Sequence, residues 1–183
     1  QLLDFYGGRR DLEEGVIRVL HSLSFVEDPT RILRAARFEQ RFGFQIEPRT
    51  EELIADALDL LVRVSAERIR HELELIFAEA QPERAVCRLA GLGVLAKLHP
   101  ALQCDAWFTA KAVELRAALD TLAAERRHDP ATLSVKSEDV PRFYLALLLY
   151  NVPISGVEEF LEQYRIRTEY RDLVLEVREL GGR

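Results

Sequence analysis

Residues 27–38 have the sequence EDPTRILRAARF, and this stretch decides both the fold and the candidate site. Asp28 is a residue type that favours the N-cap of a helix, and Pro29 suits the first helical position. The apolar residues that follow recur with helical spacing, so a helix is predicted here. Arg31 lies three residues after Asp28 and four after Glu27, which puts the three side chains on one face of the helix start.

These three side chains carry hydrogen-bonding groups that can recognise the edge of a nucleotide base. A carboxylate only accepts hydrogen bonds, and a guanidinium only donates them. Cytosine and adenine present an amine donor beside a ring-nitrogen acceptor, whereas guanine and uracil present the reverse. Asp28 and Arg31 could together pair with C or A and leave G or U mismatched, at about 1–3 kcal/mol per buried group. The simpler alternative is that Asp28 only caps the helix and that Glu27 and Arg31 form an exposed ion pair.

Helical periodicity covers most of the chain, so the predicted fold class is mainly α, a multi-helix arrangement with a short two-stranded β segment at the N-terminus. The two strands are predicted at 2–6 and 16–21, on either side of a Gly-Gly turn. The predicted helices span 28–42, 50–62, 65–80, 82–90, 106–127, 139–150, 156–165 and 168–180.

Composition narrows the class of protein. The 183 residues are 48% hydrophobic and 31% charged, which is ordinary for a globular chain with a real core. The net charge of −6 argues against a protein that coats nucleic acid without specificity. No apolar run approaches the ~18 residues of a membrane helix. Cys87 and Cys104 lack the spacing of a metal site, so free cytosolic thiols are expected. Trp107 and Phe108 are expected to pack in the core.

The basic residues are distributed unevenly. Residues 1–50 contain eight basic and eight acidic residues, so the rest of the chain carries the whole acidic excess. Arg34, Arg37 and Arg41 follow Arg31 at helical spacing and form a stripe that could face a triphosphate or an RNA backbone. Arg34 and Arg37 are the candidate phosphate or RNA contacts. The alternative is that these arginines form a solvated face with ion pairs. For Arg34 the two interpretations are equally favoured, and for Arg37 and Arg41 the solvated face is favoured.

Further signatures surround the opening stretch. Upstream, residues 4–12 have the sequence DFYGGRRDL, and downstream, 41–44 are RFGF and 65–69 are SAERI. Together with EDPTR at 27–31, and in this order and spacing, they resemble the class II tRNA nucleotidyltransferase and bacterial poly(A) polymerase family. The resemblance is dense over residues 1–80 and becomes faint towards the end of the chain.

The resemblance implies roles for particular residues. In that family the Glu-Asp-x-x-Arg signature selects the incoming nucleotide, and here it corresponds to Glu27, Asp28 and Arg31. The Asp-x-x-x-Gly segment is the flexible joint between a catalytic head and a helical neck, and here it corresponds to Asp4 and Gly8. These assignments follow from the family pattern and not from spacing alone.

The family's head signatures are missing from this chain. The resemblance therefore implies a fragment of a longer enzyme, inactive by itself, with no catalytic residue and no metal ligand of its own and with Mg²⁺ bound by the missing head. The expected domains are the end of the head and the joint (1–25), a base-recognising neck (26–80), a helical body (81–138) and further body or tail (139–183). Arg68 lies in the segment that resembles the neck-stabilising signature, where it is expected to anchor the nucleotide-reading helix by an ion pair, unless it is an ordinary surface arginine.

The implied function is that of the neck and body of a template-independent tRNA nucleotidyltransferase. Such an enzyme adds A, or CCA, from ATP and CTP to the 3′ end of tRNA. The alternatives are a bacterial poly(A) polymerase and a noncatalytic helical RNA-binding module. The expected partners are the tRNA 3′ end and the nucleotides. The expected location is the cytoplasm, without a membrane contact. Exposed strand edges also predict pairing with a second copy.

Overall fold

Helices make up most of the computed structural model, which describes residues 3–129, 135–167 and 169–181. This confirms the predicted mainly α class. The described residues also contain one short parallel sheet and one 3₁₀ helix. In chain order the elements are α1 (Gly8–Glu14), β1 (Val16–Ile17), α2 (Ser24–Glu27), α3 (Thr30–Phe42), β2 (Gln45–Ile46), α4 (Pro48–Ala57), the 3₁₀ helix (Leu58–Arg63), α5 (Ala66–Phe77), α6 (Pro82–Gly91), α7 (Val94–Leu98), α8 (Ala106–His128), α9 (Val140–Leu149), α10 (Ile154–Gln163) and α11 (Glu169–Gly181).

Helix α3 is enclosed by its neighbours. Ile32, Leu33 and Ala36 are fully buried, and the helix packs against both α5 and α6. Burying an Ile or Leu side chain is worth about 1.5–3 kcal/mol relative to leaving it exposed. The start of α3, where the candidate site lies, is therefore attached to a helix that cannot shift without opening the core.

The predicted helices agree with the structure within a few residues at most boundaries. The predicted helix at 50–62 is divided into α4 and the 3₁₀ helix, and the one at 65–80 ends earlier, at Phe77. Helices α1, α2 and α7 were not predicted. Each has seven residues or fewer, which is too short for a 3.6-residue period to stand out in the sequence.

The first predicted strand, at 2–6, is wrong for the residues that the structure describes, 3–6; residue 2 lies outside them. The carboxylate of Asp4 instead accepts hydrogen bonds from the backbone N–H groups of Gly8 and Arg9, both at 2.9 Å. These are N–H groups that the first turn of a helix leaves without a partner. The Gly-Gly turn is therefore the start of α1, and Gly7 precedes it in the left-handed conformation, with φ of 75°.

The second predicted strand, at 16–21, is reduced to the two residues of β1. Its partner is β2, which the sequence did not predict, and the pairing is parallel. The backbone N–H of Gln45 donates to the carbonyl of Gly15 at 2.8 Å, and that of Glu47 donates to Ile17 at 3.0 Å. The β segment is thus formed within this chain, because the turn after α3 brings residues 45–46 alongside β1.

The apolar core is continuous across the expected domain boundaries. One cluster of buried side chains extends from Phe25 to Val174 and includes residues on both sides of positions 81 and 139. The division into joint, neck, body and tail stays a prediction. The polar segment expected to mark an internal boundary includes residues 130–134, which lie outside the described part.

The two cysteines correct a further expectation. Cys87 in α6 and Cys104 before α8 form a disulfide, with a Cα–Cα distance of 5.1 Å, so the prediction of free thiols is wrong. They lie 17 residues apart in the sequence, a spacing that does not by itself predict a disulfide. The packing of α8 against α6 brings them together.

The aromatic residues behave as predicted. Phe108 is 2% exposed, and Trp107 is half-buried and stacks on Tyr150 with ring centroids 4.3 Å apart. Within the described residues, the helices lack the combination of length and apolar composition that crossing a membrane requires.

Gly93 and Gly91 provide a matched test of the backbone. Gly93 has φ of 78°, and an added Cβ would lie 3.3 Å from Leu58 Cδ1, whereas a Cβ on the helical Gly91 would meet nothing within 4 Å. We expect Gly93→Ala to lower the free energy of unfolding by about 1–2 kcal/mol, because an L-residue is strained at positive φ. Gly91→Ala should be neutral or stabilising by up to about 1 kcal/mol. Urea denaturation measures both, and equal shifts of the two midpoints would contradict the described turn.

Candidate functional site

The candidate site lies where α2 ends and α3 begins. Asp28 is extended, with φ of −146° and ψ of 93°, and Pro29 already has helical angles. The regular helix therefore begins at Thr30, two residues later than predicted. The Asp28 carboxylate accepts from the backbone N–H of Thr30 at 3.1 Å and from its hydroxyl at 2.6 Å. Asp28 thus satisfies a free N–H group of the first turn, as a helix cap does.

Arg68 reaches the same carboxylate from the start of α5. Its Nη2 donates to Asp28 Oδ1 at 2.7 Å and to Thr30 Oγ1 at 3.2 Å. The two residues are 40 positions apart in the chain. The ion pair therefore joins the beginning of α3 to the beginning of α5.

Arg31 does not take part in this ion pair. Its Nη1 donates to the carbonyl of Ser24 at 3.1 Å and lies 3.6 Å from Glu27 Oε2. Glu27 also lies 3.6 Å from Nε2 of His21. The carbonyl and the carboxylate together hold Arg31, whose side chain remains 42% exposed.

The hydrogen-bond pattern leaves specific atoms open. Oδ1 of Asp28 receives the bonds from Thr30 and Arg68, while Oδ2 receives none from any described residue. Arg31 uses only Nη1, so its Nε and Nη2 have no hydrogen bond within the described part of the chain. One carboxylate oxygen and two guanidinium nitrogens thus remain at the helix start. An acceptor beside a donor is the pattern that the base edge of A or C requires.

The charge state of Asp28 follows from its partners. Partial burial raises the pKa of Asp28, but the hydrogen bonds from Thr30 and the positive charge of Arg68 outweigh burial, so the pKa lies below the ordinary value of 3.8. The carboxyl is therefore ionised at neutral pH and can only accept hydrogen bonds.

The arginine stripe is divided between surface and interior. Arg34 is exposed, and among the described residues no carboxylate lies within 4 Å of its guanidinium. Arg37 is only 7% exposed, and it pairs with Glu79 at 3.1 Å and with Glu72 at 3.8 Å. The expected phosphate contact of Arg37 does not agree with this placement, because its side chain faces α5 and not solvent.

The sequence pattern did not indicate two further residues at or near the site. Thr30 bridges Asp28 and Arg68 through its hydroxyl, and a hydroxyl residue two positions after a capping Asp is the signal that could have identified it. Glu72 is 8% exposed, and its Oε2 has no hydrogen-bond partner. Burial raises the pKa of Glu72, although Arg37 and Arg34 oppose the shift. Its inward direction depends on how α5 packs, which the local sequence does not show.

The remaining candidates lie apart from this site. Asp4 and Gly8, the expected joint, are linked by the hydrogen bond that starts α1, and their role as a hinge stays a prediction. No group of three or more His, Cys, Asp or Glu side chains within the described ranges is placed to hold a metal ion. Recognition of a base edge by this site stays a prediction.

Comparison with known proteins identifies similar sequences. A family model described as a probable RNA and SrmB-binding site of polymerase A matches residues 43–105. An A-adding tRNA nucleotidyltransferase of Geobacter sulfurreducens is 52% identical over 103 residues, which cover 55% of this chain and 12% of that protein.

Solved structures extend the likeness to nearly the whole chain. A CCA-adding enzyme with ATP superposes with a TM-score of 0.80 at 36% identity and covers 97% of this chain, which spans 40% of that structure. A tRNA nucleotidyltransferase complexed with a primer tRNA and an incoming ATP analogue superposes with a TM-score of 0.77 at 31% identity. It covers 95% of this chain, which spans 49% of that structure. The fold is thus shared with these nucleotidyltransferases. The chain matches a segment of tRNA nucleotidyltransferases, and it spans less than half the length of these relatives.

The ion pair at the helix start makes the stability of the fold dependent on pH. We expect Asp28→Asn to lower the free energy of unfolding by about 1–2 kcal/mol at neutral pH, because the cap and the pairing with Arg68 are weakened. Since the folded pKa lies below 3.8, the contribution of Asp28 is present above pH 3.8 and is lost as the pH falls through the folded pKa.

Urea denaturation of the wild type and of Asp28→Asn between pH 7 and pH 3 measures this difference. Asp56→Asn, which changes an exposed carboxylate on α4, is the matched control and should give a small difference at every pH. A difference for Asp28→Asn that stays constant throughout the acid range would contradict the lowered pKa.

Proposed function

We propose that this chain supplies the base-selecting and RNA-guiding part of a tRNA nucleotidyltransferase, which transfers AMP from ATP, and in a CCA-adding enzyme also CMP from CTP, to the 3′ hydroxyl of tRNA. The observation that carries the proposal is the pair of open groups at the start of α3, Asp28 Oδ2 and the free nitrogens of Arg31. The A-adding and CCA-adding relatives support the choice of substrates.

Base recognition follows from the direction of each hydrogen bond. Oδ2 of the ionised Asp28 accepts from the exocyclic amine of adenine or cytosine, and Arg31 donates to the adjacent ring nitrogen. Glu27 holds the guanidinium in place. Guanine and uracil set a carbonyl against the carboxylate and an N–H against the guanidinium, which gives two mismatches of about 1–3 kcal/mol each.

Thr30 and Arg68 act as positioning residues for this recognition. Because they occupy Oδ1, the carboxylate has a fixed orientation and presents only Oδ2 to the nucleotide. A recognition group that is already ordered loses less conformational freedom when the ligand binds. The anchored helix start thus supports discrimination between nucleotides more than raw affinity.

The transfer step itself is assigned to a catalytic head outside these residues. The described carboxylates do not form a metal site, so Mg²⁺ belongs with that head, as the family resemblance implies. A tRNA substrate and the cytoplasm are the proposed partner and location. Self-association through strand edges stays a prediction, since β1 and β2 pair with each other and only their outer edges are open among the described residues.

A poly(A) polymerase is the second candidate, because the description of the matched domain names polymerase A. Both enzymes need an adenine-selecting site, so the geometry at Asp28 suits either of them. Their products separate them. A tRNA enzyme adds a terminal A to tRNA once, whereas a poly(A) polymerase extends many RNAs by long tails.

Substitutions at the site test base selection. In the enzyme that carries this segment together with its catalytic head, Asp28→Ala and Arg31→Ala should each reduce discrimination against GTP and UTP by roughly ten- to a hundredfold, the equivalent of about 1–3 kcal/mol. The affinity for tRNA should change little. Incorporation of each of the four nucleotides by each variant is the measurement.

Glu52→Ala, an exposed change on α4, serves as the control and should keep the wild-type preference. If Asp28→Ala and Arg31→Ala lower the overall rate but retain the preference for ATP and CTP, the two residues only stabilise the helix start.

A second prediction concerns the isolated chain. The 183-residue chain, incubated with tRNA that lacks its terminal A, labelled ATP and Mg²⁺, should incorporate no label above a buffer control, because the sequence lacks the family's pair of metal-binding carboxylates. Label on the tRNA 3′ end after this incubation would show that the chain has chemistry which the proposal places elsewhere.

A further inference from the structure

The disulfide between Cys87 and Cys104 joins two separate elements of the fold. Cys87 lies in α6, and Cys104 lies in the segment 99–105, which connects α7 to α8. The two residues are 17 positions apart, and their Cα–Cα distance of 5.1 Å is ordinary for a disulfide. The bond therefore fixes the residues that precede α8 to the side of α6.

The proposed location of the protein is unusual for a permanent disulfide. In the cytoplasm, glutathione and dithiol proteins keep most thiols reduced. The disulfides that do form there are usually transient, and they serve catalysis or redox sensing. A reversible bond is thus the role that the cytoplasm favours for this pair.

Helices α6 and α8 have other contacts that hold them together. Val86 of α6 and Phe108 and Ala112 of α8 belong to the buried core, with at most 2% of each residue exposed. Arg116 of α8 also forms an ion pair with the buried Glu83 of α6. Reduction of the disulfide therefore leaves the two helices packed and releases only the segment that precedes α8.

The hydroxyl of Thr109 provides a partner for the reduced cysteines. Its Oγ1 lies 3.7 Å from Cys87 Sγ and 3.8 Å from Cys104 Sγ. The proton of this hydroxyl is donated to the carbonyl of Asp105 at 3.0 Å, so Oγ1 can act towards the sulfurs only as an acceptor. A thiol has a proton to donate and a disulfide has none. Thr109 therefore stabilises the reduced pair selectively.

The two sulfurs are also accessible to a small reductant. Cys87 and Cys104 are both half-buried, and Gln103 and Asp105 on either side of Cys104 are exposed. Exchange between a thiol and a disulfide requires that a thiolate reach one of the sulfurs. The pair thus lies where glutathione or a dithiol protein can react with it.

We propose that Cys87 and Cys104 form a reversible redox switch, which fixes the start of α8 to α6 when oxidised and releases it when reduced. The inference rests on the proposed function only for the cytoplasmic location. Asp105, the residue after Cys104, caps α8 by accepting from the backbone N–H of Phe108 at 2.7 Å. The switch therefore acts directly on the first turn of α8, and α8 in turn contacts α9.

The reaction is an exchange with a cellular thiol. A thiolate of the reductant attacks one sulfur of the pair, forms a mixed disulfide and displaces the other cysteine as a thiolate, which takes up a proton. A second thiolate of the reductant attacks the mixed disulfide, displaces the remaining cysteine and leaves as the disulfide of the reductant. Two electrons and two protons pass to the pair, and oxidation by oxidised glutathione is the reverse.

The first test counts thiols in the folded 183-residue chain. The chain is equilibrated in buffers that range from reduced to oxidised glutathione, treated with an alkylating reagent and weighed by mass spectrometry. Because the sequence contains two cysteines, the reduced chain takes up two labels and the oxidised chain takes up none. We expect two labels at the glutathione ratio of a reducing cytosol, none when oxidised glutathione predominates, and the same helical circular dichroism in both.

Hydrogen exchange and urea denaturation measure what the bond fixes. On reduction, the amides of 99–112 should lose protection, while those of α3 and α4 should keep theirs. The equilibrium constant for folding should fall by roughly a hundredfold, because the unfolded chain regains the freedom of a loop of this length. Cys87→Ser and Cys104→Ser should each resemble the reduced wild type and respond to neither buffer.

A matched pair of threonine variants tests the stabilisation of the reduced state. Thr109→Val removes the acceptor for the thiols, so reduction should require a glutathione ratio more reducing by about two- to fivefold, the equivalent of one weak hydrogen bond. Thr121→Val removes the same kind of bond from α8, since the Thr121 hydroxyl donates to the carbonyl of Ala117 at 2.9 Å. Its midpoint should equal that of the wild type.

Three results would overturn the switch. The disulfide could persist at the glutathione ratio of a reducing cytosol, which would make it a permanent link. The thiols could fail to oxidise in any of the buffers, or the reduced chain could lose its helical structure. None of these results affects base selection, which the nucleotide preferences of Asp28→Ala and Arg31→Ala judge separately. Loss of those preferences, in turn, leaves the counts of thiols unchanged.

Discussion

The ion pair between Asp28 and Arg68 is the interaction on which the site depends. It joins the first residues of α3 to the first residues of α5, two helices that also meet through apolar side chains and through Arg37 and Glu72. Because Arg68 and Thr30 both bond to Oδ1, the pair also decides which carboxylate oxygen stays open. Without it, only Thr30 would hold the Asp28 carboxylate. In the proposed function, a structural contact between two helices is thus a condition for recognising a base.

Helix α3 is held in place along its whole length. Its apolar face is fully buried, and Arg37 places a charge against Glu72 and Glu79 beside that face. Removing one member of a buried charge cluster leaves the other charges unpaired, which is strongly destabilising. The helix therefore has one register relative to α5. That register sets both the position of Asp28 at one end and that of Arg41 at the other.

In the proposed function, the open groups at Asp28 and Arg31 discriminate by hydrogen-bond direction and not by size. Adenine and cytosine present the same order of donor and acceptor, so the proposed site accepts both and rejects guanine and uracil. Choosing between A and C requires a boundary that measures the size of the base. We propose that the catalytic head supplies this boundary.

The sequence by itself determined the longer helices, the cap at Asp28 and the closeness of Glu27 to Arg31, because these depend on neighbours within a few helical turns. It also indicated the family. Only the tertiary structure decided that Arg68 reaches Asp28, that Arg37 turns inward, that residues 45–46 pair with β1 and that Cys87 meets Cys104. Each of these contacts joins residues that lie far apart in the chain. Their partners are fixed when apolar faces pack, and local hydrogen bonding and periodicity carry no information about that choice.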